Sequence, residues 1–168
     1  MSRVRFSTHE CPVARGLDQI GDWWTLLVVR ELMYGLHQFN DIRDSLGISR
    51  AVLAGRLAAL SEHGIVTRHS DPTDARATHY RLTPKGRDLW PVIVALLTWS
   101  NAHVLGADED VVHPLNPDSD APFDALYARD KAGHFTALSN MVLGSGASAS
   151  LHFRRRIAAA FPPPATER

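Results

Sequence analysis

The chain holds 168 residues, 45% hydrophobic and 21% charged, and eighteen Lys/Arg balance eighteen Asp/Glu to a formal net charge of zero. This composition excludes a disordered chain, and the length suits one good core with a small appendage rather than two ordinary domains. Neutrality excludes a globally basic nucleic-acid binder, so any such function must rest on local charge.

Twelve Lys/Arg against ten Asp/Glu lie up to Val104, and six against eight lie beyond it. Cys11 is the single cysteine. It excludes an intrachain disulfide framework and a multi-cysteine zinc site, leaving a buried thiol, a reactive thiol or a link between subunits. Met1 to Glu10 has no apolar run of the signal-peptide kind, and no apolar stretch approaches the roughly 18 residues of a membrane span. The expected location is the cytoplasm, away from any membrane.

In chain order, Asp22 is placed to cap a helix over Trp23 to Tyr34, "WWTLLVVRELMY", which is apolar nearly all round and belongs in a core. After Gly35, the spacing of Phe39, Ile42 and Leu46 predicts a short helix ending at Gly47, a residue suited to the left-handed position beyond a helix C-terminus. Ser49 is the next N-cap. From there a helix runs to about Glu62 with Leu53, Leu57 and Leu60 inward. Ala51, Gly55, Ala58 and Ala59 point the other way, so the outer face is nearly bare where a surface helix ordinarily carries Lys, Glu or Gln.

Gly64 closes that helix. "IVTRHS" and "THYRL" read as two strands around the turn "DPTDAR", a hairpin that is marginal alone and must lean on the helices. Thr83 and Pro84 form a cap and a first helical position. The long helix expected after them carries Leu89, Ile93, Leu96, Leu97, Ser100 and Val104 on one face, with a kink at Pro91. Beyond Leu105, "GADEDVVHPLNPDSDAP" reads as a linker or long loop. Short helices are expected over Asp124 to Asp130 and Gly133 to Leu143, then a last helix in "LHFRRRIAAAF" and a frayed "PPPATER" tail.

The fold expected is thus mainly α with a small β-hairpin wing (α+β): a helix-turn-helix of the winged variety. Four blocks, "CPVARGLDQIGDWWTLLVVREL", "FNDIRDSLGIS", "LAGRLAALSEHGIVTR" and "YRLTPKGRDLWPVI", resemble in order and spacing the HxlR-type transcription regulators, a winged helix-turn-helix branch beside the MarR type. The resemblance covers about Cys11 to Val104. It implies a homodimer joined through helices at both ends of a DNA-binding domain, residues 1–104. Two recognition helices would then lie about one DNA turn apart on a pseudo-palindromic operator in double-stranded DNA. Repression is the commoner outcome in the family. Residues 105–168 form an extension longer than the family's usual C-terminus, of loop and short helices.

The candidate DNA-reading set on the recognition helix is Ser49, Arg50, Ala51, Val52, Ala54, Gly55 and Arg56. Small residues let the backbone approach base edges, Ala and Val meet thymine methyls, and arginine reaches guanine or phosphate. The plain alternative is that alanine is simply the best helix former. Arg56 lies toward the leucine stripe, where Asp41 or Asp44 is the competing partner. The hairpin adds Arg68, Asp74, Arg76 and Arg81; the Asp74/Arg76 spacing resembles that of MarR-type wings, whose arginine enters the minor groove or meets phosphate. The histidines of the hairpin are read as surface or partly buried groups.

The resemblance also makes Cys11 a candidate oxidant sensor, because a cysteine at this Cys-Pro position serves so in part of the family; the alternative is a small apolar residue at a helix start. Trp23, Trp24, Phe39, Trp90 and Trp99 are candidates for lining a small aromatic-effector pocket, the plainer assignment for most of them being core. "FRRRIAAAF" is a solvated helix face, a contact to DNA or an acidic partner, or an answer to the run Asp108-Glu109-Asp110. No cofactor or metal is expected. Neither a nucleophile elbow, a phosphate loop, an H-E-x-x-H nor a cysteine–histidine set is present, so an enzyme is not expected. The rival reading is a winged-helix protein-interaction module without specific DNA binding.

Overall fold

The computed structural model describes residues 6–70, 78–106, 109, 112, 114, 115, 118 and 126–161, in two compact units, residues 1–110 and 111–168. In the first unit, helix α1 (Pro12–Ile20) opens with Cys11 at its N-cap position and Pro12 in its first turn, where the missing N–H is no loss. Asp22 then starts α2 (Trp23–Met33), its side chain accepting the Trp24 N–H at 3.1 Å.

Helix α2 is the centre of the core. Val28, Val29 and Leu32 are buried against Ile42, Ile48, Leu53, Leu57, Leu60, Ile65 and Val66, and each such side chain contributes roughly 1.5–3 kcal/mol on leaving water. Glu31 lies in the same core at 3% exposure. Its carboxylate accepts from the Arg30 guanidinium and, at 2.8 Å, from Ser45 Oγ. Those bonds compensate a charge that burial alone would disfavour, and the Ser45 bond ties α2 to α3 (Phe39–Leu46).

Gly47 sits at φ 63° and ψ 29° beyond α3, the left-handed conformation that most side chains resist and that reverses the chain into Ser49. Helix α4 (Arg50–Glu62) follows, with Leu53, Leu57 and Leu60 buried as their spacing predicts. Strands β1 (Val66–Ser70) and β2 (Thr78–Leu82) pair antiparallel, Val66 opposite Leu82 and Ser70 opposite Thr78. On its other edge β2 meets the connection from α2 to α3: the Tyr80 N–H donates to the His37 carbonyl at 2.8 Å, and Gln38 bridges His79. The turn "DPTDAR", with Asp74 and Arg76, lies outside the described residues.

The single long helix expected after Thr83 is instead two helices. A four-residue α5 (Pro84–Arg87) ends at Asp88, and α6 (Trp90–His103) begins afresh with Pro91 in its first turn. Proline lacks the N–H that a continuous helix needs at that point but fits a first turn, so it restarts the chain rather than kinking it. Of the α6 residues only Ile93 is buried; Trp90, Val92, Leu96 and Trp99 are exposed.

Thr83 locks this junction. Its Oγ1 accepts the Gly86 N–H at 3.1 Å and donates to the Gly64 carbonyl at 2.7 Å. Gly86 is buried there, and a Cβ at this position would lie 2.3 Å from the Ile65 carbonyl oxygen and 2.9 Å from Leu82 Cδ2. Backbone cannot yield as a side-chain tip does, so Gly86→Ala is expected to lower stability by about 1–3 kcal/mol in urea unfolding. Gly16→Ala, on open ground in α1, is expected to raise it by about 0.5–1 kcal/mol.

The second unit departs from expectation. Where helices were expected over 124–130 and 133–143, the described residues form strands β3 (Tyr127–Arg129) and β4 (Phe135–Ala137), paired antiparallel, followed by one 3-10 turn (Leu138–Asn140). The intervening turn explains the hairpin: Asp130 Oδ1 accepts the His134 N–H at 2.9 Å and Gly133 takes φ 93°, a conformation no helix contains. That same hydrogen bond is the main reason the exposed Asp130 carboxyl is held below its ordinary pKa. Helix α7 (Leu151–Ala160) covers the segment read as a last helix, capped by Ser150. The linker reading over 106–122 falls largely, and the 162–168 tail wholly, outside the described residues.

Candidate nucleic-acid interface

Ser49 Oγ accepts the Val52 N–H at 3.2 Å, satisfying one of the orphaned donors at the start of α4. Ala51, Ala54, Gly55 and Ala58 are exposed along the outer side of that helix, while Val52 and Ala59 are half-buried at its margins. The outer face therefore carries little beyond backbone and methyl groups.

Arg50 stands at the rim of this face. Its guanidinium lies 5.3 Å from the Phe39 ring centroid and 3.5 Å from Asn40 Oδ1, so the first turn of α3 orients the first residue of α4. Asn40 is exposed and amide-bearing, able to donate to phosphate or pair with adenine; sequence reading missed it because its proximity to Arg50 arises only when two helices meet.

Arg56 belongs elsewhere. Its guanidinium pairs at 3.0 Å with Asp22 Oδ2, not with Asp41 or Asp44, while the other Asp22 oxygen caps α2. One carboxylate thus fixes both the start of α2 and the flank of α4. Asp22→Ala, which removes cap and pair, is expected to cost about 1–2 kcal/mol. Asp22→Asn keeps a cap and should cost less than about 1 kcal/mol, because the pair is partly solvated. Urea titrations of the two variants separate these contributions.

Cross-strand partners share a face of the hairpin, and the register puts Arg68 with Tyr80 but Arg81 with Thr67. Strand pleating turns adjacent pairs to opposite faces, so Arg68 and Arg81 do not serve one surface. Arg68 donates to Thr78 Oγ1 at 3.3 Å. Arg81 instead lines a cavity of about 660 Å³ with Leu32, Met33, His37, Leu82, Arg87 and Trp90.

Of the five aromatic effector candidates only Trp90 reaches that cavity. Trp24 and Phe39 pack against the core, whereas Trp23 is 78% and Trp99 56% exposed, so these two are neither core nor cavity wall. Cys11 is half-exposed, and its backbone N–H donates to His9 Nδ1 at 3.0 Å. In α7, Arg154 donates to the carbonyls of Ala147 and Ala149. In the run 108–110 only Glu109 is described, and it accepts the Gly106 N–H at 3.1 Å. Among the described residues no His/Cys/Asp/Glu group is arranged to hold a metal ion, and no helix is long and apolar enough to cross a membrane.

A tight turn between α3 and α4, a bare outer face on α4 and an antiparallel hairpin behind it define a winged helix-turn-helix protein. The HxlR-like helix-turn-helix family matches residues 19–107, and the chain belongs to that family. Among curated proteins it is similar to the uncharacterized HTH-type transcriptional regulator Rv3095 of Mycobacterium tuberculosis, 39% identical over 92 residues, which are 55% of this chain and 58% of that one. The corresponding regulator sll1512 of Synechocystis is 36% identical over 101 residues, 60% of this chain and 70% of the relative.

Two solved structures of candidate transcription factors are also similar. PA1607 is 35% identical with a TM-score of 0.73, covering 84% of this chain and 99% of its own. PA1374 from Pseudomonas aeruginosa is 31% identical with a TM-score of 0.63, covering 87% and 99%. Such coverage exceeds what residues 1–110 supply, so part of the second unit is shared with both, although the family match stops at residue 107.

Proposed function

We propose that the protein is a transcriptional repressor that binds a pseudo-palindromic operator as a homodimer. The observation that carries this reading is the outer face of α4, where Ala51, Ala54, Gly55 and Ala58 leave the backbone accessible beside an arginine at the helix start. In the major groove that face meets base edges and thymine methyls, with Arg50 and Asn40 on guanine, adenine or phosphate. Ser49 and Val52 flank the contact. Arg68 and, from the sequence between the two strands, Asp74 with Arg76 extend it to the neighbouring minor groove or phosphates. Arg56 is not in the set, being paired with Asp22, and Arg81 is left out because its place in the register turns it to the face opposite Arg68.

The exposed apolar residues of α1 and α6, among them Leu17, Leu96 and Trp99, support burial against a second copy, since such faces mark association surfaces. Two Cys11 thiols brought together in that dimer are the candidate redox switch: an oxidant of the diamide class takes two electrons and two protons from them and leaves an intersubunit disulfide.

Fluorescence anisotropy with DNA from upstream of its own gene, reduced and after diamide, at two salt concentrations, tests the proposal, with Cys11→Ser alongside. Tight binding that falls steeply with salt is expected, because phosphate contacts release counterions. Binding insensitive to salt would favour the protein-interaction reading, and oxidation that acts equally on Cys11→Ser would remove the thiol switch.

A further inference from the structure

We propose that the half-site read by α4 is a guanine beside thymines: Arg50 takes the guanine through N7 and O6, and the outer face of the helix packs on thymine 5-methyl groups. This rests on the repressor reading in needing the chain to bind DNA through α4, and it adds which bases that helix tells apart.

The helix carries little hydrogen-bonding chemistry. Of its side chains only Arg50, Arg56, Ser61 and Glu62 are polar. Arg56 is paired with Asp22 at 3.0 Å, Ser61 Oγ donates back to the Leu57 carbonyl at 2.8 Å, and Glu62 stands at the opposite end from Arg50. The cap residue Ser49 has its oxygen turned to the Val52 N–H. Near Arg50, α4 therefore has no amide to pair with adenine N6 and N7 and no carboxylate to accept from cytosine N4. What it offers is one guanidinium and the exposed methyls of Ala51, Ala54 and Ala58 around Gly55. In the major groove guanine presents two acceptors side by side and thymine presents a methyl, so these are the bases such a face selects.

A phosphate is the competing partner for Arg50, and the neighbours of the side chain favour the base. Its guanidinium lies over the Phe39 ring, 5.3 Å from the centroid, with Nη2 3.5 Å from Asn40 Oδ1. Both contacts restrict a long, exposed side chain before DNA arrives, which lowers the ordering cost of a bond that demands one orientation. The paired bond to guanine N7 and O6 demands it. A phosphate is met from many directions, by a lysine point charge as well as by arginine, and gains less from such aiming. Asn40 directs its Oδ1 to Arg50 and keeps its amide N–H groups for the DNA backbone, so it positions Arg50 rather than reading adenine.

The probes are duplexes that the full chain selects from a random-sequence pool. The selected duplex is made again with uracil for thymine, which removes the 5-methyl, or with 7-deazaguanine for guanine, which removes the N7 acceptor. Wild-type affinity, read by anisotropy, is expected to fall roughly tenfold or more on each. Arg50→Ala and Arg50→Lys should bind the unmodified duplex roughly tenfold more weakly, lose nothing further on the 7-deazaguanine duplex and keep the wild-type salt slope; lysine retains the charge but not the planar fork. Asn40→Ala should lose affinity on the unmodified duplex and much less on the 7-deazaguanine duplex, the mark of a residue acting through Arg50. Arg50 and Asn40 are exposed, so all three variants should unfold at the wild-type urea midpoint. Undiminished binding to the 7-deazaguanine duplex, wild-type binding by Arg50→Lys, or a salt slope reduced by about one in Arg50→Ala would each put Arg50 on a phosphate and overturn the guanine assignment. Undiminished binding to the uracil duplex would overturn the methyl contact, and an equal loss by Asn40→Ala on both guanine duplexes would overturn its positioning role. Tight, salt-sensitive binding with none of these base effects refutes the base assignment alone, whereas a chain that enriches no sequence from the pool refutes the repressor reading with it.

Discussion

Glutamate in place of Gly55 should leave the protein folded and strip it of operator binding. A side chain at this position has open space, for nothing lies within 4 Å of where its Cβ would stand. A helix interior is moreover steadied by about 0.5–1 kcal/mol when glycine is replaced by a better helix former. Against DNA the same side chain holds the backbone off the base edges and sets a carboxylate among phosphates, a like-charge juxtaposition worth several kcal/mol, or more than roughly 100-fold in affinity. Urea unfolding and anisotropy should therefore move in opposite directions. Gly55→Ala repeats the gain in stability with a smaller loss of affinity. Wild-type binding by Gly55→Glu would take the outer face of α4 off the DNA.

Leu53→Ala should do the reverse, wrecking stability while touching no ligand. Leu53 is 0% exposed on the inner face of the same helix, two residues away from Gly55. Deleting its isobutyl group from a close-packed core removes transfer free energy and leaves a void, together about 2–5 kcal/mol. Against a typical total of roughly 5–15 kcal/mol that is a large share, and for a domain of this size it corresponds to a fall in Tm on the order of 10–20 °C. Leu53→Met, which keeps the volume, should cost less than about 1.5 kcal/mol. Any loss of DNA binding in Leu53→Ala should be recovered by cooling, because the bound surface itself is intact. A small change in Tm would mean that α4 is not anchored by this stripe.

The two variants differ because a helix repeats every 3.6 residues, and that repeat is written in the chain. Leu53, Leu57 and Leu60 could be assigned to the core, and Ala51, Ala54 and Gly55 to the outside, from spacing alone. Asp22, Ser49 and Thr83 were legible as caps, and Gly47 as the left-handed stop, because capping and turn chemistry act over a few residues. The segment 127–143 was misread for the same reason turned around. Strands of three residues are too short to show a period, and a hairpin so small is marginal by itself.

Local rules determined the caps, the leucine stripe, the turn and the order of helix, turn, helix and hairpin, since each depends on neighbours within one or two turns of chain. Tertiary structure alone decided the partners. Arg56 meets Asp22 rather than an aspartate of α3, Arg50 lies over Phe39 beside Asn40, Glu31 is buried against Ser45, and Gly86 is held against the Ile65 carbonyl. It also sent Arg81 to a cavity wall and away from Arg68. These contacts join residues distant in sequence, and their geometry depends on how whole helices and strands pack, information that no local period carries.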